Sequence, residues 1–482
     1  MNGSGRWVCV LAICLLAATD ALAGGFHITT MGGKRTGMAA ILADPDDGTA
    51  LFHNPAGLAD QRGVRIHLSV GVPLMQMEQR LMALDPVRFP SINPEGCQQQ
   101  PSGCPWPVDN EGYYEQAIAA ERIFGLLPFV TVSTDLSFIS PAREDMVVAL
   151  GVYAPNFMGA FLPEDAPSSY LLIEGMFLVI TTSVAWSWRI NRNVAVGLAL
   201  SYNNMRLNMS QKMSTVNTLT PAGQTPDIMA RMGQQALGDL RMDFEGHDHG
   251  LGWELGALLT PVPMLTFGLT YSGTTAARFQ GPVTITPLGA KDPTTLGTML
   301  KMMHYKLPTE LMVEVAIPHA FGAGVLLRPT PWLDIGFDCR FWLYNLVRTQ
   351  RVVPIYAEGK GKEPMTEASL SKVKNYHFTY QLSLGAAVRP WGNMPLEFMT
   401  GINFDMSPVP DYTFSLDNPS MNILSPTVGV RWLLFDHWRV MLSYQVFFYL
   451  GRDITDSITR PPTNVQGRGL NHQPGIEVEY LF

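Results

Sequence analysis

From about position 60 onward, apolar and polar residues alternate along the chain. Between Trp332 and Leu343, the residues Leu333, Ile335, Phe337, Cys339, Phe341 and Leu343 share one face of an extended strand, and Asp334, Gly336, Asp338, Arg340 and Trp342 share the other. Successive strand side chains point to opposite sides, so the two sets part cleanly. Tyr380, Leu382, Leu384, Ala386 and Val388 alternate in the same way with Gln381, Ser383, Gly385, Ala387 and Arg389, and the pattern returns in Val440, Leu442, Tyr444, Val446 and Phe448. A soluble core takes up a face carrying Asp338 and Arg340 only at high cost. A wall with lipid outside and a polar lumen inside takes it up readily. The pattern predicts strands near 61–80, 120–139, 143–155, 172–190, 193–212, 245–260, 264–281, 311–329, 331–350, 372–390, 394–408, 421–435, 437–452 and 470–482. That is about fourteen, an even number as single-chain bacterial barrels require. Tight turns at Arg389–Asn393 and Phe435–His437 contrast with long connections at 81–119, 213–244 and 282–310, the asymmetry of an outer-membrane barrel.

Composition narrows the choice. Only 15% of residues are charged and 46% are hydrophobic, yet no uncharged apolar run long enough for a helical span follows the first two dozen residues. A membrane then admits only closed β structure, because open strand edges would leave backbone groups unsatisfied. The expected fold is therefore all-β, a transmembrane antiparallel β-barrel of about 14 strands, preceded by a plug-sized N-terminal segment that the resemblance given below makes a hatch in the lumen. A soluble β-sandwich is the competing architecture; strands this long, with aromatic ends and a polar inner face, argue against it. The net charge of -8 argues against nucleic acid as a partner.

The first 23 residues have the form of a signal peptide: Arg6 in a short polar start, an apolar run from Trp7 to Ala18, and Ala21-Leu22-Ala23 as the cleavage pattern. The expected organisation is a signal peptide over 1–23, a hatch over 24–59 and the barrel over 60–482. Cys97 and Cys104 have six residues between them in a Pro/Gly/Gln-rich stretch; in an oxidising compartment they either close a small loop or stay as two loop thiols. Ile476, Val478, Tyr480 and Phe482 alternate to a terminal aromatic. That ending looks like the signal read by the barrel-assembly machinery, with Phe482 as its specific element, and it also suits a plain final strand.

The segment before the first strand opens with Gly25-Phe26, continues as Gly32-Gly33-Lys34-Arg35-Thr36-Gly37-Met38-Ala39, and closes with Ala43-Asp44-Pro45-Asp46-Asp47-Gly48-Thr49-Ala50-Leu51-Phe52-His53-Asn54-Pro55-Ala56-Gly57-Leu58. It resembles the N-terminal hatch of the FadL/TodX family of outer-membrane transporters for long-chain fatty acids and other hydrophobic compounds, with Asn54-Pro55-Ala56 as the most specific feature. Leu150-Gly151-Val152-Tyr153-Ala154-Pro155 resembles the end of that family's third strand. The resemblance implies passive uptake, a monomer in the outer membrane, and gating by Gly25, Phe26, Asn54, Pro55 and Ala56. It also implies a kink near Val147 to Tyr153, around Gly151, that opens the wall sideways toward the outer leaflet beside Asn54 to Ala56. Gly151 is equally explained by ordinary small-residue packing.

Diffusion down a gradient needs no cofactor. A fatty-acid carboxylate is best held by a lumenal cation, and Arg340, Arg389, Arg431 and Arg439 lie in the polar register; each also suits a structural pair with Asp338 or Glu397. Loop segments Asp227–Leu240 and Thr295–Tyr305 carry Met and Leu at helical spacing. Flexible methionines suit promiscuous apolar ligands, and packing of the loop helices on one another explains them as well. His247-Asp248-His249 is a weak metal motif, Asp44–Gly48 reads better as a turn than as a calcium loop, and the chain has no Gly-x-Ser-x-Gly elbow. No catalytic or metal site is assigned. The classes left are a hydrophobic-compound transporter, a general porin for hydrophilic solutes, and a barrel for adhesion or structure. Deleting residues 24–59 separates them: selective uptake of a labelled hydrophobic compound is lost from a hatch-gated transporter, whereas a porin or adhesin keeps its function.

Overall fold

The computed structural model describes residues 30–92, 104–119, 126–219, 228–289, 306–363, 365–390, 395–435 and 437–482, with Thr298 and His304. Gly25, Phe26, Cys97 and the proposed signal peptide lie outside the described residues, and so does the Cys97–Cys104 pairing. The wall is a closed antiparallel barrel of fourteen strands. They are β1 (Val64–Gly71 and Leu74–Leu81), β2 (Leu127–Asp135, with Ile118–Ala119), β3 (Met146–Phe161), β4 (Glu174–Asn191), β5 (Val194–Met213), β6 (Leu240–Val262) and β7 (Leu265–Thr274 and Ala277–Pro287). Then follow β8 (Glu310–Val315 and Ala320–Thr330), β9 (Leu333–Trp342, resumed at Val352–Ile355), β10 (Thr379–Val388), β11 (Leu396–Asp405), β12 (Ile423–Leu434), β13 (Trp438–Ile454) and β14 (Val465–Leu481). Each strand pairs with its neighbours in sequence, and the ring shuts where β1 meets β14, from Arg65 opposite Leu481 to Gly71 opposite Gly475.

The alternation sorts the side chains as the pattern predicts, and inversely to a soluble protein. Outward-facing Leu200, Leu384, Val428 and Leu442 are 51–60% exposed, while inward-facing Asp338, Gln381, Ser383 and Glu479 are at most 3% exposed. Apolar surface facing out and polar surface facing in is stable only when the outside is hydrocarbon. Among the described residues no helix is long and apolar enough to cross a membrane.

Four expected strands are interrupted. β1 breaks at Val72-Pro73 and β8 before Ala320, at Ile317-Pro318, because proline brings no N–H to the ladder. β9 stops at Trp342, earlier than expected, and a turn at Tyr344–Leu346 carries the fully buried Tyr344 ring inward. β7 pauses between Thr274 and Ala277 and then runs on to Pro287, past its expected end. The amphipathic segment expected over Asp227–Leu240 is a helix at Ile228–Leu237, whereas Leu240 already opens β6; most of Thr295–Tyr305 lies outside the described residues. Loop aromatics such as Phe89, Tyr114 and Tyr170 turn inward and join an apolar core at the end that bears the long connections. Phe482 stays 66% exposed, its N–H donates to the Val64 carbonyl at 2.9 Å, and its ring meets Tyr480 edge-on.

A basic residue at mid-bilayer on the lipid face costs roughly 2–4 kcal/mol. Val428→Arg should lower the unfolding free energy of the barrel refolded in liposomes by about that amount. Thr427→Ser, one residue along and lumen-facing, should change it far less in the same urea titration.

Candidate functional site

Residues 30–59 pass through the lumen, and all of them except Gly32, Asp44 and Asp46 are buried. A short helix α1 (Gly33–Met38), a helical turn α2 (Ala50–His53) and a 3-10 turn over Pro55–Asp60 give this inner segment its shape. Asn54 initiates the last turn: its side-chain oxygen accepts from the Ala56 N–H at 3.2 Å, and Pro55 occupies the first position, where no N–H is required. The Asn54 amide also donates to the carbonyls of Leu42 at 2.8 Å and of Ala257 on β6 at 3.3 Å. One side chain thus ties two parts of the inner segment to the wall.

The wall receives this segment on inward-facing glycines. A Cβ on Gly256 would lie 2.1 Å from the Asn54 Oδ1, and one on Gly385 would lie 1.6 Å from the Met38 carbonyl oxygen. No side chain fits at either place. Ionic contacts add to the docking. Lys34 Nζ lies 2.7 Å from Asp44 and 3.0 Å from Asp46. Asp44 meets Arg328 at 2.8 Å, and Asp46 meets Arg431 at 2.9 Å. Asp338 accepts the backbone N–H groups of Ile41 at 2.6 Å and Leu42 at 3.0 Å, and Glu477 accepts that of Gly33 at 2.6 Å.

All four lumenal arginines singled out from the sequence are engaged in this framework. Arg389 pairs with Asp334 at 2.8 Å and with Glu397. Arg431 bridges Asp46 and Glu397, and Arg439 pairs with Glu479 at 2.7 Å and donates to the Asp46 carbonyl at 3.2 Å. Arg340 donates to His53 Nδ1 at 3.0 Å, while His53 Nε2 lies 2.7 Å from the Met31 carbonyl. A carbonyl only accepts, so Nε2 carries the proton and Nδ1 is left as the acceptor for Arg340. The four are not brought together at one anion site.

The third strand is regular where a kink was expected. Val147–Tyr153 pairs on one side with β2 and on the other with β4. The irregularity comes just beyond, at Ala154-Pro155: among the described residues pairing to β2 ends at Phe129–Tyr153, whereas pairing to β4 shifts register and continues to Phe161. Pro155 cannot donate to the ladder. Gly151 faces inward, and a Cβ there would sit 3.3 Å from Leu51. Asn54 to Ala56 dock against β4, β5 and β6, with Ser187 donating to the Ala56 carbonyl at 3.3 Å. Phe52 is the inner-segment residue that reaches the end of the β2–β3 pairing. Its ring meets Tyr153 at 5.4 Å and Phe129 at 6.4 Å, and Phe129 and Tyr153 stack at 4.6 Å.

Beside this triad lies a cavity of about 80 Å³ bordered by Phe52, Tyr153, Pro155, Trp253, Glu254 and Trp342. Phe52, Tyr153, Pro155 and Trp342 stand in segments quoted from the sequence, but none of the six was named there as a site residue. Pro155, a proline inside a strand, was the available signal, as were the inward glycines that mark where another backbone comes close. His249 Nδ1 is 2.8 Å from the Tyr202 hydroxyl, and Asp47 accepts the Thr49 N–H at 2.7 Å. Among the described residues no group of three metal-ligating side chains forms.

A closed fourteen-strand barrel with an apolar exterior and a lumen occupied by its own N-terminal segment has the architecture of an outer-membrane β-barrel. Residues 14–452 match the family model described as "Outer membrane protein transport protein (OMPP1/FadL/TodX)", and the chain belongs to that family of outer-membrane transporters for hydrophobic compounds. A Neisseria meningitidis serogroup B protein named as an outer membrane protein, NMB0088, is 20% identical over 86% of this chain and 84% of its own. Among solved structures, a Pseudomonas aeruginosa FadL homologue aligns with a TM-score of 0.73 at 14% identity, over 95% of this chain and 100% of that one. The Pseudomonas putida toluene transporter TodX aligns with a TM-score of 0.64 at 14% identity, over 96% and 99%. At these identities the two structures support the fold.

Removing one member of a buried ion pair costs about 3–5 kcal/mol when its partner is stranded. Arg431→Met leaves Glu397 with Arg389 and Asp46 with Lys34, so the loss should fall near the lower end, about 3 kcal/mol. Guanidinium unfolding of the refolded barrel, followed by tryptophan fluorescence, measures it.

Proposed function

We propose that this barrel carries small hydrophobic molecules passively inward and releases them sideways through the wall, with residues 24–59 acting as a hatch. The observation that carries the reading is the end of β2–β3 pairing at Phe129–Tyr153, directly beside the cavity. A molecule there has the lumen blocked below it by the inner segment. The stretch of β3 beyond Tyr153, which has no β2 partner among the described residues, offers a route to lipid. The step is downhill for an apolar solute, because hydrocarbon removes its surface from water. Phe52 and Tyr153 border the cavity beside that route, with Phe129 stacked on Tyr153, and rotation of the Phe52 ring would widen the path. Asn54 and Pro55 hold α2, and therefore Phe52, in register with β6.

Cells lacking their own transporter and expressing this chain should take up labelled toluene or oleate. The Asn54→Ala, Pro55→Ala double variant should lose that uptake while still folding, as judged by heat-shifted gel migration. Pro155→Val, which restores a donor at the break and favours continued pairing, should slow uptake several-fold. If neither compound enters and sugars or ions pass instead, the barrel is a porin.

A further inference from the structure

The wall is parted at a second place, between β7 and β8. Their pairing runs from Pro282 opposite Glu310 to Ala277 opposite Val315, stops, and resumes at Ser272 opposite Ala320. Four residues on each strand lie between, 273–276 and 316–319, so the register is kept and the strands separate without a slip. All of these residues are described, and no backbone hydrogen bond joins the two sets. Each strand turns to its other neighbour instead. Thr275 donates its N–H to the Leu251 carbonyl on β6 at 2.9 Å, and Leu343, just past Trp342 of β9, donates to the His319 carbonyl at 3.0 Å. Pro318 has no N–H to offer across the gap.

The cavity reaches this opening. Its border continues from Pro155 along β4, β5 and β6 to Gly273 and Thr274 on one side of the gap and to Ile317 and Pro318 on the other. From there a row of rings leads to lipid. His319 lies 6.0 Å from Trp253 on the cavity border, Tyr271 lies 5.8 Å from His319 and nearly parallel to it, and Phe321 follows at 4.9 Å. Phe321 is an exposed ring of the outer face. His319 Nδ1 is 2.9 Å from the Tyr271 hydroxyl, which holds the imidazole in the gap. Gly273 makes room for it, since a Cβ there would lie 2.6 Å from that nitrogen. Outward residues beyond the gap are Arg278 and Glu314, and those before it are Phe321 and Leu269. The opening therefore lies at the upper edge of the apolar band.

We infer that the β7–β8 gap is a second lateral exit, working in parallel with the one at β3, through which small apolar molecules pass from the cavity into the outer leaflet, with His319 as its gate. This rests on the transporter reading above. Backbone without a partner persists in a membrane only where protein or a water-accessible cavity covers it, and the cavity with the edge of the apolar band supplies that cover here. An apolar molecule moving along the row of rings stays out of water throughout, so the step into lipid remains downhill. Movement of one side chain, His319, clears the row. Parallel exits add their fluxes, so closing one leaves the other open and only closing both stops release.

Uptake of labelled toluene by cells expressing the full chain, Pro155→Val, Pro318→Thr or both separates one exit from two. Pro318→Thr supplies the missing donor and a branched residue suited to a strand. Alone it should lower uptake by about a third, and the double variant should lose far more than the product of the single losses, on the order of twenty-fold, because independent steps in series would only multiply. His319→Ala in the Pro155→Val background, where the remaining flux uses the second exit, should raise uptake about two-fold by removing the gate. Heat-shifted gel migration confirms that each variant is folded. In the unaltered barrel, a photoreactive aryl diazirine dissolved in the lipid of liposomes should label Thr275 or Ile317, as read by peptide mass spectrometry. A double variant no slower than Pro155→Val, no gain from His319→Ala, or no label at the gap overturns the second exit and leaves the first standing. If neither toluene nor oleate enters cells carrying the unaltered chain, the transporter reading itself fails, and the second exit with it.

Discussion

Hydrocarbon offers no hydrogen bonds to a peptide group, and the rest of this structure depends on that constraint. Every strand must be paired on both sides through the membrane, so the sheet closes, β1 on β14. Closure turns one register of each strand to lipid and the other to the lumen. The lumenal register then carries the charges that the lipid-facing one cannot. Asp338, Glu397, Arg431 and Glu479 are the products of that sorting. Once inside, buried charges need partners, and several of these partners come from the inner segment.

The inner segment is therefore integral to the lumen. Lys34, Asp44 and Asp46 interleave with Arg328, Arg431, Arg439 and Glu397, so the wall and its contents satisfy one another. Inward glycines such as Gly256 and Gly385 let backbone approach backbone at distances that no side chain would tolerate. The ion pairs, with Gly385, hold the part of the segment on β8 to β14. The turn from Ala50 to Ala56 instead meets β2 to β6 and, through His53, Arg340 on β9, and there aromatic contacts join the polar ones. Among the described residues the pairing of β3 with β2 also ends there, at Tyr153, while its pairing with β4 continues.

The candidate chemistry was less legible than the wall. Arg340, Arg389, Arg431 and Arg439 were correctly read as lumenal, because register alone decides face. Their partners lie as many as 393 residues away in the chain, Asp46 against Arg439 being the widest, and spacing carries no information about such pairs. Phe52 stood inside a quoted motif with its aromatic character unused. Glu254 looked like any polar residue of a strand. The break at Ala154-Pro155 was visible as a proline, but whether a proline ends a strand, bulges it or opens a wall depends on what the neighbouring strand does.

The sequence by itself determined the barrel, the face each strand residue takes and the presence of a lumen-sized N-terminal segment. These follow from a period of two residues and from the exclusion of unpaired backbone from lipid, both local properties of the chain. Tertiary structure alone decided which arginine meets which carboxylate, which glycines receive the inner segment, where the wall stops pairing, and that an acidic side chain rather than a basic one borders the cavity. Those outcomes arise when segments hundreds of residues apart meet inside a closed ring, and closure fixes their neighbours in a way that no local pattern encodes.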